Sequence, residues 1–275
     1  MSQTSDYAIE VRGLKKQLGG KEVLRGVDLS ICRGETMVII GQSGCGKSVL
    51  LKHIVGLHYP DDGEVFIDGK PLNGVSSAER LALLSEFGML FQGAALFDSL
   101  TIAENVVFRH IQSRRYSQKE MDRIVDEKLE MVGLSGVAHL KPAELSGGMQ
   151  KRVGLARAIA ADPKFILYDE PTTGLDPIMA DQINDLILHM KDMLNVTSIA
   201  VTHDMVSAYK ISDRISMLYQ GEVIETDTPE RIQRSKNPYV RQFIRGEAYG
   251  PITTVRPFGR TAPSGTKGGK HETPQ

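Results

Sequence analysis

The sequence predicts an α/β fold, with a largely parallel sheet, an antiparallel β subdomain and an inserted helical lobe. Three observations carry this. Residues 35–40 form a mostly apolar run that ends at Gly41 and passes through a glycine-rich loop into a helical pattern, as a buried parallel strand does. From about residue 93 to 163 helical periodicities dominate. Strand patterns then return at 165–169, 197–202, 214–219 and 222–226, interleaved with helices at 178–194 and 205–211, the alternation of a parallel α/β core.

Along the chain, β-rich runs at 7–11 and 23–31 precede that first strand. Residues 48–56 carry Leu50, Leu51, Ile54 and Val55 at helical spacing, closed by Gly56 and then Pro60. A strand at 64–68 ends in an Asp-Gly turn, and a helix at 78–85 leads to a strand at 87–91. Within the helical lobe the clearest helices are 120–132 and 150–160, and 229–246 suits short helices. We therefore expect one domain over 1–246, with its core at 7–92 and 164–228 and its helical lobe at about 93–163. A C-terminal extension follows at 229–258. Residues 259–275 are rich in Gly, Pro, Thr and Lys and read as a disordered tail.

The chain is 24% charged with a net charge of -1 and shows no block of like charge, which argues against a nucleic-acid partner or a polybasic membrane anchor. Residues 1–6 lack a basic segment followed by an apolar one, and no stretch reaches the roughly 18 apolar residues of a membrane span. A cytoplasmic location is expected. Cys32 and Cys45 are too few for a disulfide framework and are not spaced as a metal pair.

Gly41-Gln42-Ser43-Gly44-Cys45-Gly46-Lys47-Ser48 matches the pattern G-x-x-x-x-G-K-[ST] of a P-loop NTPase. Its glycines let backbone N–H groups converge on phosphate at a helix N-terminus. Lys47 is expected on the β- and γ-phosphates and Ser48 on Mg²⁺, although a bare glycine turn before a helix gives the same string. Asp169 and Glu170 close an apolar strand, which places the first to hold Mg²⁺ and the second to act as general base on water. Two acids there also suit a solvated turn or a helix cap. Cys45 sits among oriented N–H groups that can lower a thiol pKa, or it is a small packing residue.

Leu145-Ser146-Gly147-Gly148-Met149, ahead of a helical run containing Lys151, Arg152 and Arg157, resembles the LSGGQ signature of the ABC ATPase family. Asp169-Glu170, Gly174-Leu175-Asp176 and His203 follow at family-like distances. The resemblance covers roughly residues 7–245 and implies binding of ATP and Mg²⁺ by a head-to-tail homodimer. Ser146, Gly147 and Gly148 of one copy then face the γ-phosphate held by the other. It further implies that His203 positions Glu170 and water, that Gln92 senses Mg²⁺ and nucleotide, and that Asp176 crosses the dimer interface. Asp176 equally suits a helix N-cap before Pro177. Where the family stacks adenine on an aromatic residue this chain has Leu18, and Met149 replaces the usual final Gln.

Within that family, the run from Leu90 to Thr101, the Leu-Ser-Gly-Gly-Met peptide, Gly174-Leu175-Asp176-Pro177-Ile178 and Phe243-Ile244-Arg245-Gly246 look like the MlaF group. Gly93 replaces a usual Ser, and Phe108-Arg109-His110 lacks a usual Pro. This resemblance implies phospholipid transport between inner and outer membranes, from the cytoplasmic face of the inner membrane. The implied partners are MlaE-like permeases, an MlaD-like MCE protein and a STAS-domain MlaB-like protein. Two other readings are an ABC importer for another solute, such as a polar amino acid, and a non-transport ABC ATPase. The last expects duplicated ATPase domains, zinc insertions or basic patches, and the sequence has none.

Overall fold

The computed structural model describes residues 7–113 and 116–253. β1 (Tyr7–Leu18) and β2 (Lys21–Cys32) form an antiparallel hairpin that turns at Gly19 and Gly20, both at positive φ. β1 runs well past the sequence-predicted 7–11, whereas β2 matches 23–31 to within two residues at either end. The pairing shifts register between Val11 and Leu14, where Gly13 has φ 57, and such a bulge breaks the two-residue alternation by which a strand is recognised in sequence. β3 (Thr36–Ile40) is buried at all five positions, and α1 (Lys47–Ile54) follows the glycine loop. β4 (Asp62–Ile67) pairs with β1 and the short β5 (Lys70–Pro71), giving a four-stranded antiparallel sheet of order β2-β1-β4-β5.

α2 (Ser77–Ser85) is started by a reciprocal Ser76–Glu79 capping box and leads into β6 (Phe87–Leu90). Four helices come next: α3 (Ile102–Val106), α4 (Phe108–Ser113), α5 (Gln118–Met131) and α6 (Gly147–Ile159). α3 and α5 both pack on α6. α6 begins three residues earlier than its periodicity predicts, because Ser146 Oγ accepts the Met149 N–H at 3.3 Å and caps it. That cap and the buried face of α6 offset the poor helix propensity of Gly147 and Gly148.

β7 (Phe165–Asp169), α7 (Pro177–Leu194), β8 (Thr197–Val201), α8 (Met205–Ile211), β9 (Arg214–Tyr219), β10 (Glu222–Asp227) and α9 (Pro229–Gln233) follow. The second sheet has six strands in the order β10-β9-β3-β8-β7-β6, parallel except for β10. Parallel strands end on one edge, where ligands of open α/β sheets bind. Here that edge carries the segments that begin at Gly41, Phe91, Glu170 and Thr202.

The compact unit containing both sheets extends to Arg234, and a second begins at Ser235. The second unit holds α10 (Pro238–Arg245), where the Gln242 amide donates to Glu247 O and Thr253 Oγ1 and accepts from the Ile252 N–H. The tail expected at 259–275 lies outside the described residues. Among the described residues no helix is long and apolar enough to cross a membrane.

Candidate nucleotide site

The loop from Gly41 to Gly46 is backbone shaped by contact. A Cβ on Gly41, at φ 152, would stand 2.3 Å from Leu218 O, and one on Gly46, at φ 111, would stand 2.9 Å from Val23 O. Glycine is therefore required at both positions by space and by dihedral. Gln42, Ser43 and Gly44 are exposed, whereas Lys47 is buried and curls back so that Nζ donates to Gly41 O at 2.7 Å and Gln42 O at 3.0 Å. The first N–H groups of α1 and its dipole add positive potential there. Cys45 does not behave as an activated thiol. Burial against the core pushes its pKa up, which outweighs the nearby Lys47 charge and the backbone hydrogen bonds, so the packing role prevails.

At the end of β7, Ser48 Oγ donates to Asp169 Oδ1 at 3.5 Å, joining the glycine loop to the acidic pair. Burial, followed by the Glu170 charge, raises the Asp169 carboxyl above its usual range. Glu170 has φ 51, a left-handed conformation that costs a non-glycine residue about 1–2 kcal/mol. Its N–H donates to Val201 O at 2.9 Å. The carboxylate is held on two sides: Oε2 lies 2.9 Å from His203 Nδ1 and accepts from Thr173 Oγ1 at 3.0 Å. Glu170 is mostly enclosed while the His203 ring stands in solvent. Asp204, the residue after His203, anchors a separate hydrogen-bonded chain. Ser207 Oγ donates to Asp204 Oδ2 at 2.6 Å and accepts from Asn184 Nδ2 at 2.9 Å, so its one proton is committed and Thr172 Oγ1 is the donor at 3.3 Å.

The arrangement comprises a phosphate-shaped backbone loop, a lysine over it, a hydroxyl–carboxylate pair and a second, oriented carboxylate. The family model described as ABC transporter matches residues 24–173. The chain belongs to the ABC transporter family. The intermembrane phospholipid transport system ATP-binding protein MlaF of Haemophilus influenzae is 40% identical, covering 89% of this chain and 92% of the relative. The probable ribonucleotide transport ATP-binding protein mkl of Mycobacterium leprae is also 40% identical, over 89% of this chain and 71% of its own. A solved dimeric ATP-binding cassette, in a post-hydrolysis state bound to ADP and Pi, superposes with TM-score 0.73 at 34% identity, covering 80% of this chain and 98% of that one. This ABC protein is an ATP-binding, ATP-hydrolysing subunit coupled to transport.

The remaining sequence-predicted residues of this ABC ATPase sit on separate elements. The Gln92 side chain is exposed, and its backbone O accepts a short hydrogen bond from Lys151 Nζ. Ser146 and Gly147 stand exposed at the start of α6, with Gly148 packed against Met179 of α7. Asp176 Oδ1 caps α7 by accepting the Ile178 and Met179 N–H groups, both at 3.0 Å. Leu18, 39% exposed, sits at the tip of the β1–β2 hairpin. Among the described residues no hydrogen bond joins Leu18, Asp176 or Ser146–Gly148 to the Ser48–Asp169 or Glu170–His203 pairs. Sequence reading assigned no role to Thr173 or Lys151. Thr173 carries no distinguishing pattern, but a lysine inside a helix face that is otherwise buried is a signal.

Proposed function

We propose that this ABC ATPase drives phospholipid transport between inner and outer membranes, acting as a head-to-tail homodimer at the cytoplasmic face of the inner membrane. The observation that carries the lipid assignment is 40% identity to MlaF with nearly end-to-end coverage of both chains. In this reading, Gly41 to Ser48, including Gln42, Ser43, Gly44, Cys45 and Gly46, cradle the triphosphate. Lys47 contacts its β- and γ-phosphates. Ser48 and Asp169 offer hard oxygen ligands at the right place for Mg²⁺, with Gln92 nearby, and the ion neutralises phosphate charge when bound. Glu170 takes the proton from the attacking water, and His203 fixes its carboxylate.

Ser146, Gly147 and Gly148 of the second copy present another helix N-terminus to the same phosphate, and Asp176 lies at the interface. ATP then favours the closed dimer because it touches both copies. Beside Gln92 an apolar groove of about 460 Å³ is lined by Phe87, Phe91, Ala95, Phe97, Phe108 and Arg109. Phe91 and Phe97 remain exposed at 38% and 44%, which fits a docking surface for a helix of an MlaE-like permease. An MlaD-like MCE protein and a STAS-domain MlaB-like protein complete the assembly.

Purification of the tagged full chain from detergent-extracted membranes is expected to bring down an MCE-domain protein and bound phospholipid. The mkl relative, named for ribonucleotide transport at the same identity, supports a second reading as an ATPase for another solute. A periplasmic solute-binding protein in place of the MCE protein would establish that alternative and overturn the lipid assignment. The hairpin tip carries a separate expectation. Leu18→Tyr adds an aromatic face for adenine, and base–aromatic stacking contributes about 1–3 kcal/mol. The KM for ATP is therefore expected to fall about 5-fold or more while that for GTP falls less. An unchanged ATP/GTP ratio removes Leu18 from the base site.

A further inference from the structure

Lys151 belongs to none of the motif positions described above, yet it connects two of them. Its side chain is only 5% exposed. From α6 it donates to Gln92 O, on the segment after β6, and to Glu170 O at 3.3 Å, on the turn after β7. No carboxylate stands within ion-pair distance of Nζ among the described residues. Burial lowers its pKa, and the field of Asp169 and Glu170 opposes that only in part. Enclosing an ammonium without a contact anion is costly, and a methionine of similar length fills such a space without that cost. A purely structural account therefore leaves the positive charge unexplained.

The two carbonyls that Lys151 holds are not ordinary ones. Glu170 sits in a left-handed conformation, so the direction of its own carbonyl and of its side chain are fixed together. Its carboxylate must keep its contacts with His203 and Thr173. The Gln92 segment runs on into Ala94 and Ala95, two consecutive non-glycine residues at φ 58 and 49, whose carbonyls accept from the Arg157 guanidinium. A Cβ on Gly154, between these two cations on α6, would come within 2.7 Å of Leu90 Cδ1. The 90–95 segment is thus fastened to α6 along its length, and, besides the β6–β7 pairing, Lys151 is the side chain among the described residues whose hydrogen bonds carry the connection onward to Glu170.

We propose that Lys151 is a positioning residue that ties the Gln92 segment and the signature helix to the Glu170 turn, so that movement of either reaches the carboxylate. This rests on the reading of Glu170 as general base. Phe91, next to Gln92, and Ala95, whose carbonyl Arg157 holds, also line the apolar groove, so a helix docked there acts on the same tether.

The test is steady-state ATP hydrolysis by the full chain in its membrane complex. Lys151→Met is expected to lower kcat by about 10- to 100-fold, the scale of a misplaced catalytic group, with KM for ATP within about 2-fold and an unchanged or higher melting temperature. Lys151→Arg, which keeps donors for both carbonyls, is expected to recover part of kcat. Lys151→Gln, too short to span both, is expected to behave like the methionine variant and serves if the latter does not fold. Parental kcat in Lys151→Met or Lys151→Gln overturns the proposal. So does a loss of kcat that only follows the folded fraction, with Lys151→Arg no better. Glu170→Gln, measured in parallel, separates the two levels: near-parental turnover there overturns the base assignment itself, whereas lost turnover there with parental kcat in Lys151→Met overturns the tether alone.

Discussion

Glu170→Gln is expected to reduce ATP turnover by about 10²- to 10⁴-fold, the usual contribution of a positioned general base, while ATP remains bound. The substitution keeps the size of the side chain and an oxygen able to accept from Thr173, which lies 3.0 Å from Oε2. It leaves the backbone hydrogen bond to Val201 O intact, so the left-handed turn retains its support. What disappears is the capacity to accept a proton. Ser48, Asp169 and the glycine loop are untouched, so affinity for ATP is set as before. With binding intact and turnover blocked, the ATP-bridged dimer accumulates, and size-exclusion chromatography with ATP and Mg²⁺ should show it where the parent chain does not. Near-parental turnover would assign the base elsewhere. Monomer at saturating ATP would sink the trans role of Ser146, Gly147 and Gly148.

Legibility in the sequence followed from how locally each feature is determined. β3 is buried on both faces and reads as an apolar run, and Gly41 and Gly46 answer to a backbone shape that tolerates no Cβ; both are therefore visible residue by residue. The strand that ends at Asp169 is visible for the same reason, since β7 is likewise enclosed. β1 is readable only as far as Val11 because the bulge at Gly13 hides alternation beyond it. α3 and α4, with five and six residues, hold fewer than two turns, too little for a periodicity to register. For Cys45 the N–H groups follow from the local loop, whereas the burial that pushes its thiol pKa up comes from tertiary packing and cannot be read locally. Lys151 illustrates the same limit, since its two acceptors are backbone atoms 59 and 19 residues away.

Lys47→Ala is expected to fail at the earlier step, weakening ATP binding rather than slowing hydrolysis of bound ATP. An ammonium has three donors. Two of them are used on Gly41 O and Gln42 O, which leaves one for phosphate and holds the charge in the mouth of the loop. A hydrogen bond to a charged group contributes about 1.5–3 kcal/mol, or roughly 10- to 150-fold in Kd. Removing the side chain also releases the carbonyls that give the loop its curvature. The loss is therefore expected at the upper end of that range, read by titration of a fluorescent ATP analogue against the full chain. Lys47→Arg separates charge from shape. Lys47 is buried, and a planar guanidinium needs more room than the ammonium, so charge alone should restore little. If Lys47→Arg bound ATP as the parent does, the loop would be acting as a diffuse positive field, and the two carbonyl contacts would carry no weight in recognition.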